Sequence, residues 1–256
     1  MTGAHRLPAR AIAGGRAAIA LLTIVPVGAR RQPGGLGDAA GWFPLVGALV
    51  GGSGAAVELI AAHPLGRAVA AVLAVGTQVV LTGGLHQDAL ADAADALGAR
   101  GDRARRLEVM RDPGIGAFGA LALAFWVAAM IGAVAALPRD RVLGTLTVAA
   151  ALARWSAVAH AAALPAAREQ GLGAAFTPSA PGTAVATCVA AGMVAAAGVA
   201  VAGASVLLSL PVAGACTLAT SVAAARGLGG RTGDTIGATV ALTEVATCLA
   251  LLAAAR

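Results

Sequence analysis

Residues 113–137 read PGIGAFGALALAFWVAAMIGAVAAL, a run with no charged residue in it. A helix needs about 20 apolar residues to cross the hydrocarbon core, so this run is long enough to span. Its apolar residues are continuous rather than alternating, which argues against the strand of a membrane barrel. Comparable runs cover about 40–62, 67–85, 142–165, 183–203, 205–225 and 236–255. The expected fold is therefore all-α, a polytopic transmembrane helical bundle with about seven spans. Residues 11–27 form a shorter segment, interrupted by Gly and Pro, which is expected to lie in the interface or to re-enter partway. Gly47-x-x-x-Gly51 has the spacing at which membrane helices approach closely, although with 35 Gly in the chain chance explains it about as well. No internal repeat or linker divides residues 1–256, which read as a single integral-membrane domain.

Composition agrees. The chain is 59% hydrophobic and 12% charged with a mean hydropathy of +0.84, whereas a soluble domain carries about 25% charged residues. A soluble enzyme, a disordered chain and a nucleic-acid binder are all disfavoured. The pI near 11.1 lacks the dense basic face that nucleic acid requires. The basic residues are 18 Arg, with no Lys. Cys188, Cys216 and Cys248 each sit in an apolar run without metal or disulfide spacing, and read as small buried hydrophobes. The basic N-terminal stretch is followed by Pro26 and Arg30-Arg31 rather than a small-residue cleavage pattern, so it is expected to be retained.

The Arg residues also orient the chain. If 86–112 is cytoplasmic, span counting puts 28–39, 166–182 and 226–235 on the same side. Arg6, Arg10, Arg16, Arg30, Arg31, the five Arg of 100–111, Arg168, Arg226 and Arg231 then make thirteen cytoplasmic cations. Arg67, Arg139, Arg141 and Arg256 make four on the other side, as the positive-inside rule requires. The expected location is the bacterial cytoplasmic membrane, multi-pass. Arg154 and Glu244 fall within spans, where ionisable groups are costly and face an interior or a cavity. Whether they pair is not legible from sequence.

Six of the twelve acidic residues lie between 88 and 112. Asp88, Asp92 and Asp95 are spaced i, i+4, i+7, within about 60° of one another on a helix face, where like charges repel. A cation among them would relieve this. Oxygen ligands without a His/Cys cluster suit Mg²⁺, which takes one or two carboxylates plus substrate phosphates. The alternative is a solvated helix face with Asp paired to Arg100, Arg103 or Arg106. Nearby Arg would bind phosphate oxygens bidentately. Asp112 before Pro113 reads equally as a helix N-cap or as a further metal carboxylate. His86 is either a base or phosphate partner, or a polar boundary residue. The stretch ARGLGGRTGDTIGA (225–238) lacks a P-loop ending. It offers Arg231 and a helix start capped by Asp234 or Thr235, and so either an anion site or a plain turn. Arg168-Glu169-Gln170, before Gly171-Leu172-Gly173, adds a polar patch. His5, His63 and His160 have no partner visible in the sequence.

Taken together, LLTIVPVGAR, WFPLVGALVG, TGGLHQDALADAAD, RRLEVMRDPGIGAFGALAL, REQGLG and GGRTGDTIGA resemble the cobalamin synthase family, the adenosylcobinamide-GDP ribazoletransferases, in order and spacing along nearly the whole chain. The family commonly has Gly after the first and third Asp of its His-x-Asp block, where this chain has Ala89 and Ala96, which leaves the backbone geometry there in doubt. The resemblance implies a membrane enzyme that joins adenosylcobinamide-GDP to α-ribazole or its 5′-phosphate, releasing GMP with Mg²⁺ as cofactor. It implies phosphoryl transfer at a cytoplasmic-face Asp-rich loop, with Asp88, Asp92, Asp95 and Asp112 on the metal. His86, Arg106 and Arg111 would act in catalysis, and Arg231, Thr232, Asp234 and Arg168 would bind substrate. The implied partners are the corrinoid nucleotide, the ribazole and the lipid bilayer, not nucleic acid, with homo-oligomerisation left open. A CDP-alcohol phosphotransferase would use similar chemistry, but its Asp-x-x-Asp-Gly pattern is not matched. A transporter would place its binding groups at broken helices near the midplane.

Overall fold

Lipid gives apolar helices no hydrophobic drive toward one another, so their association rests on close backbone approach and interhelical polar bonds. Both are present in the computed structural model, which describes residues 6–28, 39–176 and 181–255. Arg30, Arg31 and Arg256 lie outside the described residues, as do His5 and the side chains of Arg6 and Arg10. In chain order the helices are α1 (Arg6–Leu22), α2 (Phe43–Leu65), α3 (Arg67–Leu81), α4 (Leu85–Gly98), α5 (Arg103–Val109), α6 (Ala117–Ala136), α7 (Arg139–Ala163), the single turn α8 (Leu172–Ala175), α9 (Pro181–Ala202), α10 (Ser209–Leu228, led in by a 3₁₀ turn at Ala204–Leu208) and α11 (Gly233–Ala254). Among the described residues the only strand-like pairing is one bridge between Ala166 and Arg231.

Among the described residues, six segments are long and apolar enough to cross a membrane: α2, α6, α7, α9, the 204–228 stretch and α11. The chain is an all-α multi-pass membrane protein. The expected seventh span at 67–85 is one half of a bent pair, and the pair counts as a seventh crossing when its two helices are taken together. α3 has 15 residues, about 22 Å at 1.5 Å per residue, and it bends by 87° into α4. The cause is local: Gly83 and Gly84 adopt φ +62° and +70°, a left-handed conformation that glycine tolerates and that ends the helix. α4 therefore runs across the end of the bundle instead of continuing along the axis of α3. α1 is an unbroken 17-residue helix, so Gly14 and Gly15 do not interrupt it. The side chains of Ala18 and Leu22 are buried in one cluster with Phe43 and Val46 of α2.

α7 and α11 are central, with 78% and 72% of their apolar windows buried against 28% for α6. Between them Arg154 and Glu244 do pair, at 2.5 Å. Trp126 of α6 donates to the Ala241 carbonyl of α11 at 2.9 Å. Gly47 and Gly51 earn their spacing, because a Cβ on either would overlap a backbone carbonyl of α7, at Ala150 and Leu146.

The connections gather at two ends. At one, Arg67 donates to the Val134 carbonyl at 3.1 Å and Arg139 to Leu59 at 3.0 Å. At the other, Arg103 donates to Ala167 at 2.9 Å and Arg168 to Leu107 at 2.7 Å. Segments 82–116, 164–176 and 229–232 thus share one end, as span counting expects. Gly51→Ala should lower the unfolding midpoint in detergent, by about 1–3 kcal/mol of overpacking. Gly76→Ala, with open space around it, should leave the midpoint unchanged or raise it; equal effects would contradict the close α2–α7 contact.

Candidate active site

The acidic stretch is a helix, not a loop. Its Ala- and Leu-rich sequence favours helix, and α4 begins at left-handed Gly84. One face is buried through His86, Ala89, Leu90, Ala93 and Ala96. The methyl groups at Ala89 and Ala96 fill this face, and Ala89 packs so closely on Gly237 of α11 that Gly237 could carry no side chain. The other face carries Asp88, Asp92 and Asp95.

The three carboxylates have different surroundings. Asp95 accepts from the amides of Gly116 at 2.7 Å and Gly119 at 2.9 Å. It therefore satisfies the start of α6, and a Cβ on Gly116 or Gly119 would overlap its oxygens. Asp88 is exposed on the wall of a cavity of about 270 Å³ that Asp234 also lines. Asp92 is half-buried and its carboxyl is pushed up to about 6 by desolvation, then by the charges of Asp88, Asp234 and Asp95. None of these three on α4 forms an ion pair with Arg100, Arg103 or Arg106 among the described residues. Arg103 and Arg106 donate instead to the carbonyls of Ala167 and Ala99.

Asp112 does not cap α6. That helix starts at Ala117 with Gly116 as its cap, and Asp112 closes a tight turn by accepting from the Gly114 amide at 2.9 Å. The turn residue Gly114 and then Ile115 separate Pro113 from the helix, so the expected Pro at the first helical position is absent. Neither Asp112 nor Arg106 lines the cavity. Arg111, also outside the lining, is exposed. Its charge lies close enough to lower the pKa of Arg168, an effect second to burial and opposed by Asp234.

The 164–176 and 229–240 segments build the opposite wall. Arg231 is 7% exposed, with its Nε on the Gly173 carbonyl at 2.9 Å and Nη1 on the Leu164 carbonyl. Its guanidinium ties the two segments together at the cavity edge. The α11 cap is Thr232, not Asp234 or Thr235: Thr232 and Thr235 bond each other's amides at 3.1 and 2.9 Å in a capping box. That places Asp234 in the first turn, facing the cavity beside Arg168, Gln170 and Thr232. His86 is 3% exposed on the same lining. Desolvation, then the Arg154 charge, hold its pKa well below 6.5, so the imidazole is neutral.

Two features escaped the sequence reading. Phe43 and Phe176 stack at 5.4 Å with rings nearly parallel, and both line the cavity. Only the apolar-aromatic character of each was visible, not their meeting. His160 is fully buried in α7, with Nε2 at 3.1 Å from Thr235 and Nδ1 at 3.0 Å from Ser221 of α10. The Ser/Thr residues interspersed in α10 and α11 were the available signal. Through Thr235 this network supports the Thr232 cap from below.

Among the described residues no three His, Cys, Asp or Glu converge as a ready-made metal cage. Asp88 and Asp234 nevertheless line one opening beside a desolvated arginine, and Asp92, outside that lining, is near enough for both of their charges to oppose its own.

The sequence pattern of the cobalamin-5-phosphate synthase family matches residues 14–252. The chain is 40% identical to an adenosylcobinamide-GDP ribazoletransferase of Sinorhizobium medicae over 244 residues, covering 91% of this chain and 93% of that one. It is 39% identical to the enzyme of that name from Azorhizobium caulinodans, with 91% of both chains covered. Against the Escherichia coli K12 enzyme of that name it is 37% identical, covering 82% and 85%. No solved structure matches.

Neighbouring carboxylates should respond oppositely to substitution. A raised Asp92 pKa means the folded state holds its proton more tightly than the unfolded chain. Stability is therefore lost as pH rises from about 4 to about 6. At pH 7 without divalent cations, Asp92→Asn should raise the unfolding midpoint, by about 1 kcal/mol or less once solvent screening is allowed for. Asp95→Ala should lower it by about 1–2 kcal/mol through loss of two charge-assisted caps. Thermal unfolding in detergent reads both signs, and a stabilising Asp95→Ala would contradict the assignment.

Proposed function

The chain belongs to the cobalamin-5-phosphate synthase family, and we propose that it joins adenosylcobinamide-GDP to α-ribazole or its 5′-phosphate. The products are adenosylcobalamin or its 5′-phosphate, together with GMP. The observation that carries this reading is the convergence of Asp88, Asp234, His86 and Arg168 on one cavity at one end of a membrane bundle. Carboxylates, an arginine and a buried imidazole around one opening suit transfer of a phosphoryl group between two alcohols or phosphates. Such transfer is mostly positioning and electrostatics, and needs no covalent nucleophile from the protein.

Asp88 and Asp92, with Asp234 opposite, are the residues that would hold Mg²⁺. The chemistry fits: hard carboxylate oxygens whose charges oppose one another, and an ion that needs only one or two of them and completes its shell with phosphate and water. When bound, Mg²⁺ neutralises charge on the pyrophosphate and on the departing GMP. Asp95, occupied by two amides, keeps α4 against α6 and thereby positions the other two. Asp112, in its own turn, serves the 111–116 connection rather than the ion.

Arg168 offers a cation at the cavity wall for a phosphate group, and Arg231 holds that wall in place. Thr232 and Thr235 fix the first turn of α11, which directs Asp234 inward. A neutral His86 donates its ring N–H to the oxygen of the attacking ribazole hydroxyl and orients it, while the hydroxyl proton leaves to a carboxylate at the opening. Arg106 and Arg111 act at a distance, through the field they add at that end. The end bearing α4 faces the cytoplasm. Supporting this, Arg100, Arg103, Arg105, Arg106, Arg111, Arg168, Arg226 and Arg231 lie there, against Arg67, Arg139 and Arg141 at the other end, as the positive-inside rule predicts.

Purified full-length protein should release GMP from adenosylcobinamide-GDP only when ribazole and Mg²⁺ are both present. Asp92→Ala should lose on the order of 100-fold or more in rate while eluting as folded protein. Near-normal turnover of Asp92→Ala at saturating Mg²⁺ would remove that residue from the site. Release of CMP from CDP-diacylglycerol, without GMP release, would instead mark a CDP-alcohol phosphotransferase.

A further inference from the structure

The cavity that carries the proposed function is not the only opening at Asp88. A second, wider and more open groove of about 650 Å³ is lined by Leu21, Thr82, Gly83, Gly84, Leu85, Asp88 and Leu123. Leu21, Leu85 and Asp88 belong to both linings. The first turn of α4 therefore borders both openings, and the one charged residue common to both is Asp88.

The two sides differ in character. The enclosed cavity has an apolar wall of Leu22, Phe43, Phe176, Ile236 and Val240, facing Arg168, Thr232 and Asp234. Its volume is at the small end of the roughly 300–1,000 Å³ range of small-molecule sites. A ligand with a flat aromatic base at one end and a ribose at the other matches that division. The groove is bounded at the bend by two glycines in left-handed conformation, leaving backbone where side chains would otherwise narrow it. Its side chains are mostly aliphatic, and it is larger and more open than the enclosed cavity, as the bulkier reactant requires.

We propose that the two reactants occupy these two openings separately. The ribazole enters the enclosed cavity with its aromatic base along the Phe43–Phe176 side. The nucleotide-activated corrinoid lies in the groove between the 82–85 bend, α1 and α6. This assignment rests on the transferase reading above and adds the division of the site. In the transfer, a ribazole hydroxyl oxygen bonds to the phosphorus that carries the corrinoid. The anhydride bond to GMP breaks and its electron pair leaves on GMP, while the hydroxyl proton goes to a carboxylate. Attacking and leaving oxygens must be roughly in line through that phosphorus. Reactants held in two openings that meet at Asp88 satisfy this requirement when the ribazole hydroxyl and the GMP oxygen lie on opposite sides of that phosphorus.

Initial-rate kinetics on the full-length protein test the division. Ala174→Leu adds bulk to the enclosed cavity alone, and Leu123→Trp adds bulk to the groove alone. We expect Ala174→Leu to raise KM for ribazole about tenfold while KM for adenosylcobinamide-GDP stays within about twofold, and Leu123→Trp to do the reverse; a tenfold change corresponds to about 1.4 kcal/mol of binding. If both variants move the same KM, or the split is inverted, the division is overturned. If the unaltered protein releases no GMP, the transferase reading itself fails. Should a bulky variant elute as unfolded protein, Val240→Ala and Leu123→Ala provide the same comparison. Those two must still alter the ribazole and corrinoid constants separately, and equal effects on both overturn the proposal.

Discussion

The break at Gly83-Gly84 is the constraint on which the site depends. A straight continuation of α3 would carry Asp88, Asp92 and Asp95 along the span axis, into surroundings where carboxylates are costly. The 87° turn instead lays α4 across the end of the bundle. Its alanine face then lies on α11 and α6, and its carboxylate face is left at an opening. The same turn brings Asp88 opposite Asp234 and creates both cavities. Gly237, which lets α4 approach α11, and Gly116 and Gly119, which let Asp95 reach the start of α6, serve that single placement.

In a chain with so few charges, each charged group has a visible purpose. Arg154 and Glu244 neutralise each other between the two most buried spans. Breaking such a pair would leave a buried charge uncompensated. Arg67, Arg103, Arg139 and Arg231 bond carbonyls at helix ends and connections. Against that background Asp88, Asp92 and Asp234 stand out because their charges oppose one another around an opening. Retained repulsion of this kind is characteristic of functional sites, which give up stability for activity.

Much of this was legible in the sequence because lipid imposes a coarse rule: long uncharged runs must be helices. The helix face of Asp88, Asp92 and Asp95, and the meeting of 86–112 with 168–173 and 225–238, followed from spacing and span counting. What the sequence did not show was local. Residues 67–85 are apolar enough to span, but hydropathy does not register that two consecutive glycines turn the chain at their end. Asp112 before Pro113 has the composition of a cap, yet Asp95, seventeen residues earlier in sequence, reaches the amides of Gly116 and Gly119 instead. Arg231 lines the cavity, and its bonds to Gly173 and Leu164 add a role as a strut that its charge alone does not announce. Such roles depend on which distant carbonyl or amide folds nearby, and no local pattern records that.

On the proposed function, Asp88 and Asp92, with Asp234 nearby, would hold a divalent cation at the end of the bundle where transfer takes place. Electron paramagnetic resonance titration of Mn²⁺ into the purified full-length protein tests it most directly. The expected result is a bound ion that Mg²⁺ displaces, that Asp88→Asn and Asp92→Asn each weaken, and that Asp112→Asn leaves in place. Unchanged Mn²⁺ binding in both Asp88→Asn and Asp92→Asn, with the protein still folded, would contradict it.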